Sequence, residues 1–304
     1  MRLHLLLLTA LAGSEAVTSP SAEVVAYLGD PQIGFSGNET EDTIRFGMAA
    51  DAAKSANAVV IAGDLVNVWN SASQISSFKQ VWPARFASPD TVHLIPGNHD
   101  VDSALQDAGS ALARLKHYRE TFSPDDYSAF HTSLASFVLV NSEFLILPFL
   151  GLNGTAVDPS ITAEVEVQWA FIEKELVLAQ SRSSAHTVVV MHHPPFITAE
   201  VEPHEYFNWP VAPRRRLMSL LRKFGVRTLL CGHTHTTRSV TTADGLKVLT
   251  TAGTAKAFDD NGCGYQLLNI TATSLDVAYV EFRGGGGAPG CVRGSSGWRD
   301  EGRR

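Results

Sequence analysis

The sequence predicts a layered α/β domain. Five short apolar runs, Glu23–Leu28, Ala58–Ala62, Val92–Ile95, Thr187–Met191 and Arg227–Cys231, read as buried strands. They are rich in Val, Ile and Leu and show little polar alternation, as strands covered on both faces do. Stretches with helical apolar spacing lie between them, and alternating strands and helices build a mainly parallel inner sheet. The chain has 304 residues, 44% of them hydrophobic and 18% charged, enough for one large domain with a sizeable core.

Glu23–Leu28 runs straight into Gly29-Asp30-Pro31-Gln32. A helix is expected over 40–56 from the spacing of Ile44, Met48 and Ala52, with Asn38 or Thr40 as its cap and acidic residues in its first turn. Ala58–Ala62 runs into Gly63-Asp64, and a helix over 71–86 crosses back to Val92–Ile95 and Pro96-Gly97-Asn98-His99-Asp100. A further helix is expected over 104–121, strands over 127–149 with a loop near Asn141 and Ser142, and a long helix over 161–180. Thr187–Met191 ends in His192-His193-Pro194-Pro195, a helix covers 214–224, and Thr228–Cys231 ends in Gly232-His233-Thr234-His235. Segments 246–251, 265–270 and 274–282 read as closing strands.

The N-terminus carries one basic residue, an apolar run and small residues at Ser14 and Ala16, the pattern of a signal peptide over residues 1–16. A secreted or lumenal protein is expected, or a cytoplasmic one if the leader is not cleaved. Asn38, Asn153 and Asn269 begin N-x-Ser/Thr sequons, which fits a glycoprotein of that route. No later run is long and apolar enough to span a bilayer. A net charge of −7 argues against general affinity for nucleic acid or an anionic membrane surface. Cys231 is expected as a buried thiol, whereas Cys263 and Cys291 could pair in an oxidising compartment. Residues 17–282 are taken as the domain, and the Gly- and Arg-rich residues 283–304 as a mobile tail.

Five strand ends therefore carry polar ligand types: Asp30 with Gln32, Asp64, Asn98 with His99, His192, and His233 with His235. Sites in open α/β sheets form beyond the carboxyl ends of the strands, so the five loops can meet at one edge. Carboxylates, an amide and imidazoles together suit Mn, Fe, Zn or Co better than calcium. The set is too large for one catalytic ion with an open position and fits two ions about 3.5–4 Å apart.

In their order, Gly29-Asp30-Pro31-Gln32, Gly63-Asp64, Gly97-Asn98-His99-Asp100, His192 before Pro194-Pro195, and Gly232-His233-Thr234-His235 resemble the five motifs of calcineurin-like metallophosphoesterases. The resemblance spans roughly residues 24–282. It implies a sandwich of two mixed β-sheets flanked by helices, two divalent metal ions (Mg being a further candidate), a phosphorylated substrate and a monomer. It implies that Asp30 and His235 bind the first metal with Gln32 beside them, that Asp64 bridges, and that Asn98, His192 and His233 bind the second. His99 then acts as general acid, with Asp100 positioning its ring, while a metal-bridging hydroxide attacks phosphorus.

The Asp-Pro-Gln form of the first motif is similar to one branch of the family, associated with protein serine/threonine phosphatase activity. Most of the family has His where Gln32 stands, so Gln32 is expected either to ligate through its carbonyl oxygen or to bond a metal water. A non-catalytic binding scaffold is the alternative that this departure raises, and a phosphodiesterase is another. A purple-acid phosphatase is set lower, because no tyrosine follows Asp64 in Leu65-Val66-Asn67-Val68-Trp69. His193 is expected to pack or support rather than ligate. His93, His117, His131 and His186 are given surface or core roles. His204–Trp209 could line a pocket or form a surface loop, Asn141 could reach the site, and Arg214–Arg216 is expected as a solvated helix face.

Overall fold

The computed structural model describes residues 21–86, 88–101, 108–150, 158–282 and 290–293. The expected leader and the sequon at Asn153 lie outside the described residues. Strands β1 (Glu23–Leu28), β2 (Ala58–Ala62) and β3 (Val92–Ile95) run parallel, with helices α1 (Glu39–Ala52) and α2 (Ala72–Val81) as crossovers. The short α3 (Asn98–Val101) and α4 (Ala108–Thr121) lead to the second sheet. It contains β4 (Ser128–His131), β5 (Ala135–Leu139), β6 (His186–Met191), β7 (Thr228–Cys231), β8 (Arg238–Thr241) and β9 (Lys247–Thr250) in the order β4-β5-β6-β7-β9-β8. Helices α5 (Ser142–Ile146), α6 (Pro159–Ser181) and α7 (Val211–Lys223) connect those strands. After β10 (Lys256–Ala257) the chain returns to the first sheet as β11 (Gly264–Ile270) and β12 (Leu275–Glu281), giving the order β12-β11-β1-β2-β3. Both sheets are mixed, since β11 runs antiparallel to β1 and β8 antiparallel to β9.

The pleat separates two cores. Val25, Tyr27, Val60 and Ala62 pack with Phe137, Leu139, Val188, Val190 and Leu230 between the sheets. Their neighbours Ala26, Leu28, Val59, Ile61, Val189 and Leu229 face the helices, where Phe46, Phe78 and Leu176 meet them. A slip of one residue would exchange the two sets, so register is held from both sides. The expected sandwich of two mixed sheets between helices is therefore the architecture found.

Capping explains where the helices begin. Asn38 accepts from the Glu41 amide ahead of an acidic first turn, and Ser71 accepts from Gln74. Asp158 caps α6 with Pro159 behind it. The strands expected over 127–149 stop at Leu139, and 142–149 is helical instead. Asn141 causes the change, because its side chain accepts from the Phe144 amide and starts α5. Asn141 also bonds Asp126 and Gln168, so it is a buried structural residue and not a site residue.

Two further expectations are corrected. Arg214 is fully buried rather than solvated, and its guanidinium donates to the carbonyls of Glu200, Glu202 and Trp209. Residues 290–293 are not part of a mobile tail. Cys263 and Cys291 form a disulfide, β13 (Val292–Arg293) pairs with β10, and buried Arg45 donates to the Gly290 carbonyl at 2.8 Å. The rest of that segment lies outside the described residues. No described helix is long and apolar enough to cross a membrane.

Candidate metal centre

The carboxyl ends of β1, β2, β3, β6 and β7 meet at one edge of the sandwich. Asp30, Gln32, Asp64, His233 and His235 follow their strands with φ of 47°, 31°, 50°, 67° and 50°, the left-handed region. Such conformations cost roughly 1–3 kcal/mol each for side chains other than glycine. The cost is explained by aim, since a tight left-handed step turns each side chain back into the space beyond the sheet. Glycines give these side chains room. A Cβ on Gly97 would lie 2.1 Å from Asp64 Oδ1, and one on Gly232 would lie 2.9 Å from Asp30 Oδ2.

Two groups of ligand atoms result, each within 4.8 Å: Asp30 with Asp64 and His235, and His192 with His193 and His233. Asn98 Oδ1 lies 3.1 Å from His192 Nε2, and Asp64 Oδ2 lies 3.4 Å from the same nitrogen. Asp30 Oδ1 is 3.5 Å from His235 Nε2. The structure thus brings together every residue expected at the site. It also brings His193 closer than expected, its ring centre 3.5 Å from that of His233. His193 is engaged on both ring nitrogens, by Glu143 at 2.8 Å and by the Tyr206 carbonyl at 3.2 Å, so it supports its neighbours.

Main-chain carbonyls orient the imidazoles. The Ala62 oxygen accepts from His192 Nδ1 at 2.8 Å and the Lys256 oxygen from His235 Nδ1 at 2.9 Å, leaving Nε2 of each toward the carboxylates. His99 is held the same way. Its ring Nδ1 lies 2.8 Å from the Asn67 carbonyl and its amide donates to Asp64 Oδ1 at 2.9 Å. The expected contact between Asp100 and the His99 ring is therefore replaced. Asp100 accepts from the amides of Leu65, Val66 and Gly97, and so braces the Asp64 loop against the Asn98 loop. Its influence on His99 is indirect.

Burial and charge oppose one another here. Burial pushes the Asp30 carboxyl well above its ordinary range and brings Asp100 up to about 7, with Asp64 adding to both. Burial also opposes ionisation of Asp64, but the nearby His192 and His99 outweigh it and hold that carboxyl low. His192 is resisted by burial yet raised to about 10 by Asp64. Burial lowers His235 to about 4 and drives His233 down too, toward the neutral form that ligates metal. So many buried ionisable groups require compensation. Gln32 Oε1 gives an independent test of what compensates. It is buried without a hydrogen-bond partner, although its Nε2 donates to Asn67 Oδ1 at 3.3 Å. The Gln32 main-chain amide donates to the Asp64 carbonyl, which puts this unpartnered oxygen donor on the same loop edge as Asp30, Asp64 and His235, and such a donor set fits two divalent ions.

Sequence reasoning missed the main-chain carbonyls of Ala62, Asn67, Tyr206 and Lys256 as anchors of the site imidazoles, because no side-chain pattern reveals them. Aromatic rings flank both ends. Phe35 and Phe258 lie 4.9 and 5.0 Å from the His235 ring, and Tyr206 and Phe207 lie 5.0 and 5.3 Å from that of His233. In the 204–209 segment Trp209 is a buried anchor, its Nε1 donating to the His193 carbonyl.

Comparison with known proteins agrees with this geometry. The serine/threonine-protein phosphatase CPPED1 of Rattus norvegicus is 27% identical over 143 residues, 47% of this chain and 40% of that protein. The CPPED1 of Homo sapiens is 26% identical over 230 residues, covering 68% of this chain and 67% of its own length. The chain thus spans well under half of the rat relative's length. In fold, a dimetal phosphatase from Danio rerio superposes with a TM-score of 0.59 at 14% identity, over 85% of this chain and 97% of that one. The family model for calcineurin-like phosphoesterases matches residues 24–237, which include every candidate ligand placed above, and the chain belongs to that family.

Proposed function

We propose that the protein is a two-metal phosphomonoesterase, with phosphoserine- or phosphothreonine-bearing proteins as its substrate class. The observation that carries this is His99. It is half-buried beside the ligand groups, bonds none of the carboxylates through its ring, and has Nδ1 fixed on the Asn67 carbonyl. Its Nε2 is thereby the nitrogen presented to a departing oxygen. Two divalent ions supply charge to the phosphoryl oxygens and acidify a water when bound. The residues then have separate tasks. Asp30, Gln32, Asp64 and His235 would hold one ion, and Asn98, His192 and His233 the other, with Asp64 within reach of both groups. The Asp64 carboxylate also fixes the His99 main chain, which ties the proton donor to the ligand set. His99 protonates the leaving alcohol. A binding scaffold would have no use for an imidazole held in this way.

The CPPED1 relatives support the protein-phosphatase reading within the family. The signal-peptide pattern and the Cys263–Cys291 disulfide support a secreted or lumenal location, since disulfides persist in oxidising compartments. Asn38 and Asn269 are exposed, as glycan acceptors must be. The test is hydrolysis of phosphoserine peptide, aryl phosphate and diaryl phosphate by protein loaded with Mn, Fe or Zn, with metal content measured. Asp64→Asn and His99→Ala should each lower monoester turnover by at least about a hundredfold, the usual contribution of a general acid. Turnover unchanged in both variants, or a protein that takes up none of these ions, refutes the proposal.

A further inference from the structure

We propose that Lys256, with Phe35 and Phe258, forms a subsite for a second negative charge on the alcohol portion of the substrate. The inference rests on the phosphomonoesterase reading and adds the class of leaving group. The Lys256 ammonium lies 4.7 Å from the Phe35 ring centre and 5.1 Å from that of Phe258. Both rings abut His235, and Phe35 also lies 6.2 Å from the ring of His99. The ammonium is thus one aromatic ring removed from the proton donor His99, within the span of a leaving alcohol. Lys256, Phe35 and Phe258 are all half-buried and therefore reachable from solvent.

The two ring faces hold the ammonium by cation–π attraction, next to the His235 ring that they also abut. The main chain of Lys256 is anchored independently of its side chain, through its carbonyl on His235 and through the pairing of β10 with β13. The side chain thus leaves a rigid point and crosses the aromatic faces at the site's edge. An alcohol with an apolar body against Phe35 and Phe258, and a carboxylate or second phosphate about one ring away from the reacting phosphate, fits this arrangement. An aryl group carrying an acid is the simplest such ligand. An acidic residue next to a phosphorylated side chain presents the same chemistry.

The experiment measures binding of phenylphosphonate and 4-phosphonobenzoate to the Mn-loaded full chain, as wild type, Lys256→Met and Lys256→Arg. Wild type should prefer the carboxylated probe about tenfold, equivalent to about 1.4 kcal/mol. Lys256→Met should lose that preference, Lys256→Arg should keep most of it, and added salt should compress it. Equal metal content in the three proteins, by elemental analysis, excludes loss through the His235 anchor. The same preference in wild type and Lys256→Met overturns the subsite. Phenyl phosphate and 4-carboxyphenyl phosphate are assayed in parallel for turnover. A binding preference that responds to Lys256→Met without hydrolysis of either ester leaves the subsite standing and overturns the enzymatic reading instead. Hydrolysis with no response to Lys256→Met does the reverse.

Discussion

Replacing Gln32 with Met separates a metal ligand from a structural amide by the sign of its effects. The Gln32 carbonyl oxygen is buried with no hydrogen-bond partner within the protein, and its amide makes one long hydrogen bond to Asn67. An unpaired buried carbonyl costs about 1–3 kcal/mol and a neutral hydrogen bond contributes about 0.5–1.5 kcal/mol. Met has nearly the same length and volume and removes both, for a net gain of about 1 kcal/mol. In a domain of this size that raises Tm by about 2–4 °C in the presence of chelator. With metal the effect inverts. A metal held at a hundred times its Kd adds about 2.7 kcal/mol, and a tenfold weaker site leaves about 1.4 kcal/mol, so the metal-induced rise in Tm is roughly halved. Thermal melts in chelator and across a Mn titration read both numbers. A Gln32→Met protein that is less stable in chelator and keeps the full metal-induced rise would show that Gln32 serves the fold and does not ligate.

Three other outcomes are expected. Arg45→Met should cost about 3 kcal/mol in urea unfolding, the low end for a broken buried pair, because Arg45 and Asp42 are both fully buried and paired at 2.6 Å and the variant leaves the carboxylate only the Gly34 and Ser36 amides; a loss below about 1 kcal/mol would contradict this. Replacing Cys263 and Cys291 together with Ala should cost about 3–4 kcal/mol, from the 28-residue separation they close, and an unchanged urea midpoint would show that the tether contributes nothing. Burial lowers His93 to about 4, where it stacks 3.8 Å from Phe130. A His depressed in the folded state favours unfolding once the unfolded chain binds its proton, so stability is full above about 6.5 and falls as pH drops from there toward 4. His93→Phe should flatten that limb, and an unaltered pH–stability slope would refute the assignment.

The candidate site was legible because its residues carry their chemistry in their side chains and sit at recognisable strand ends. Asp30, Asp64, Asn98, His99, His192, His233 and His235 needed only the observation that apolar runs stop where they begin. What escaped notice depended on partners distant in sequence. Asp100 follows His99 directly, which suggests a contact between the two, yet its carboxylate turns to amides 35 residues away at Leu65. Arg214 belongs to a run of three arginines that looks solvated, and only the fold of the 200–209 segment supplies carbonyls to bury it. The C-terminal stretch reads as a flexible tail from composition, which carries no record of the strand it joins or of the disulfide that holds it. The helix over 142–146 lost to a strand reading because its apolar residues face a core on nearly every side.

The carbonyl anchors of Ala62, Asn67, Tyr206 and Lys256 have a consequence for how such a protein can diversify. A carbonyl is the same atom whatever side chain follows it, so the orientation of the site imidazoles is indifferent to the side chains at 62, 206 and 256. Those side chains can change, within the limits of local packing, without retuning the chemistry they frame, whereas that of Asn67 is also bonded to Gln32. One hydrolytic centre can then be offered to many alcohols by substitution at its rim. In this fold, new specificity would arise at positions such as 206 and 256, whose side chains the reaction itself does not require.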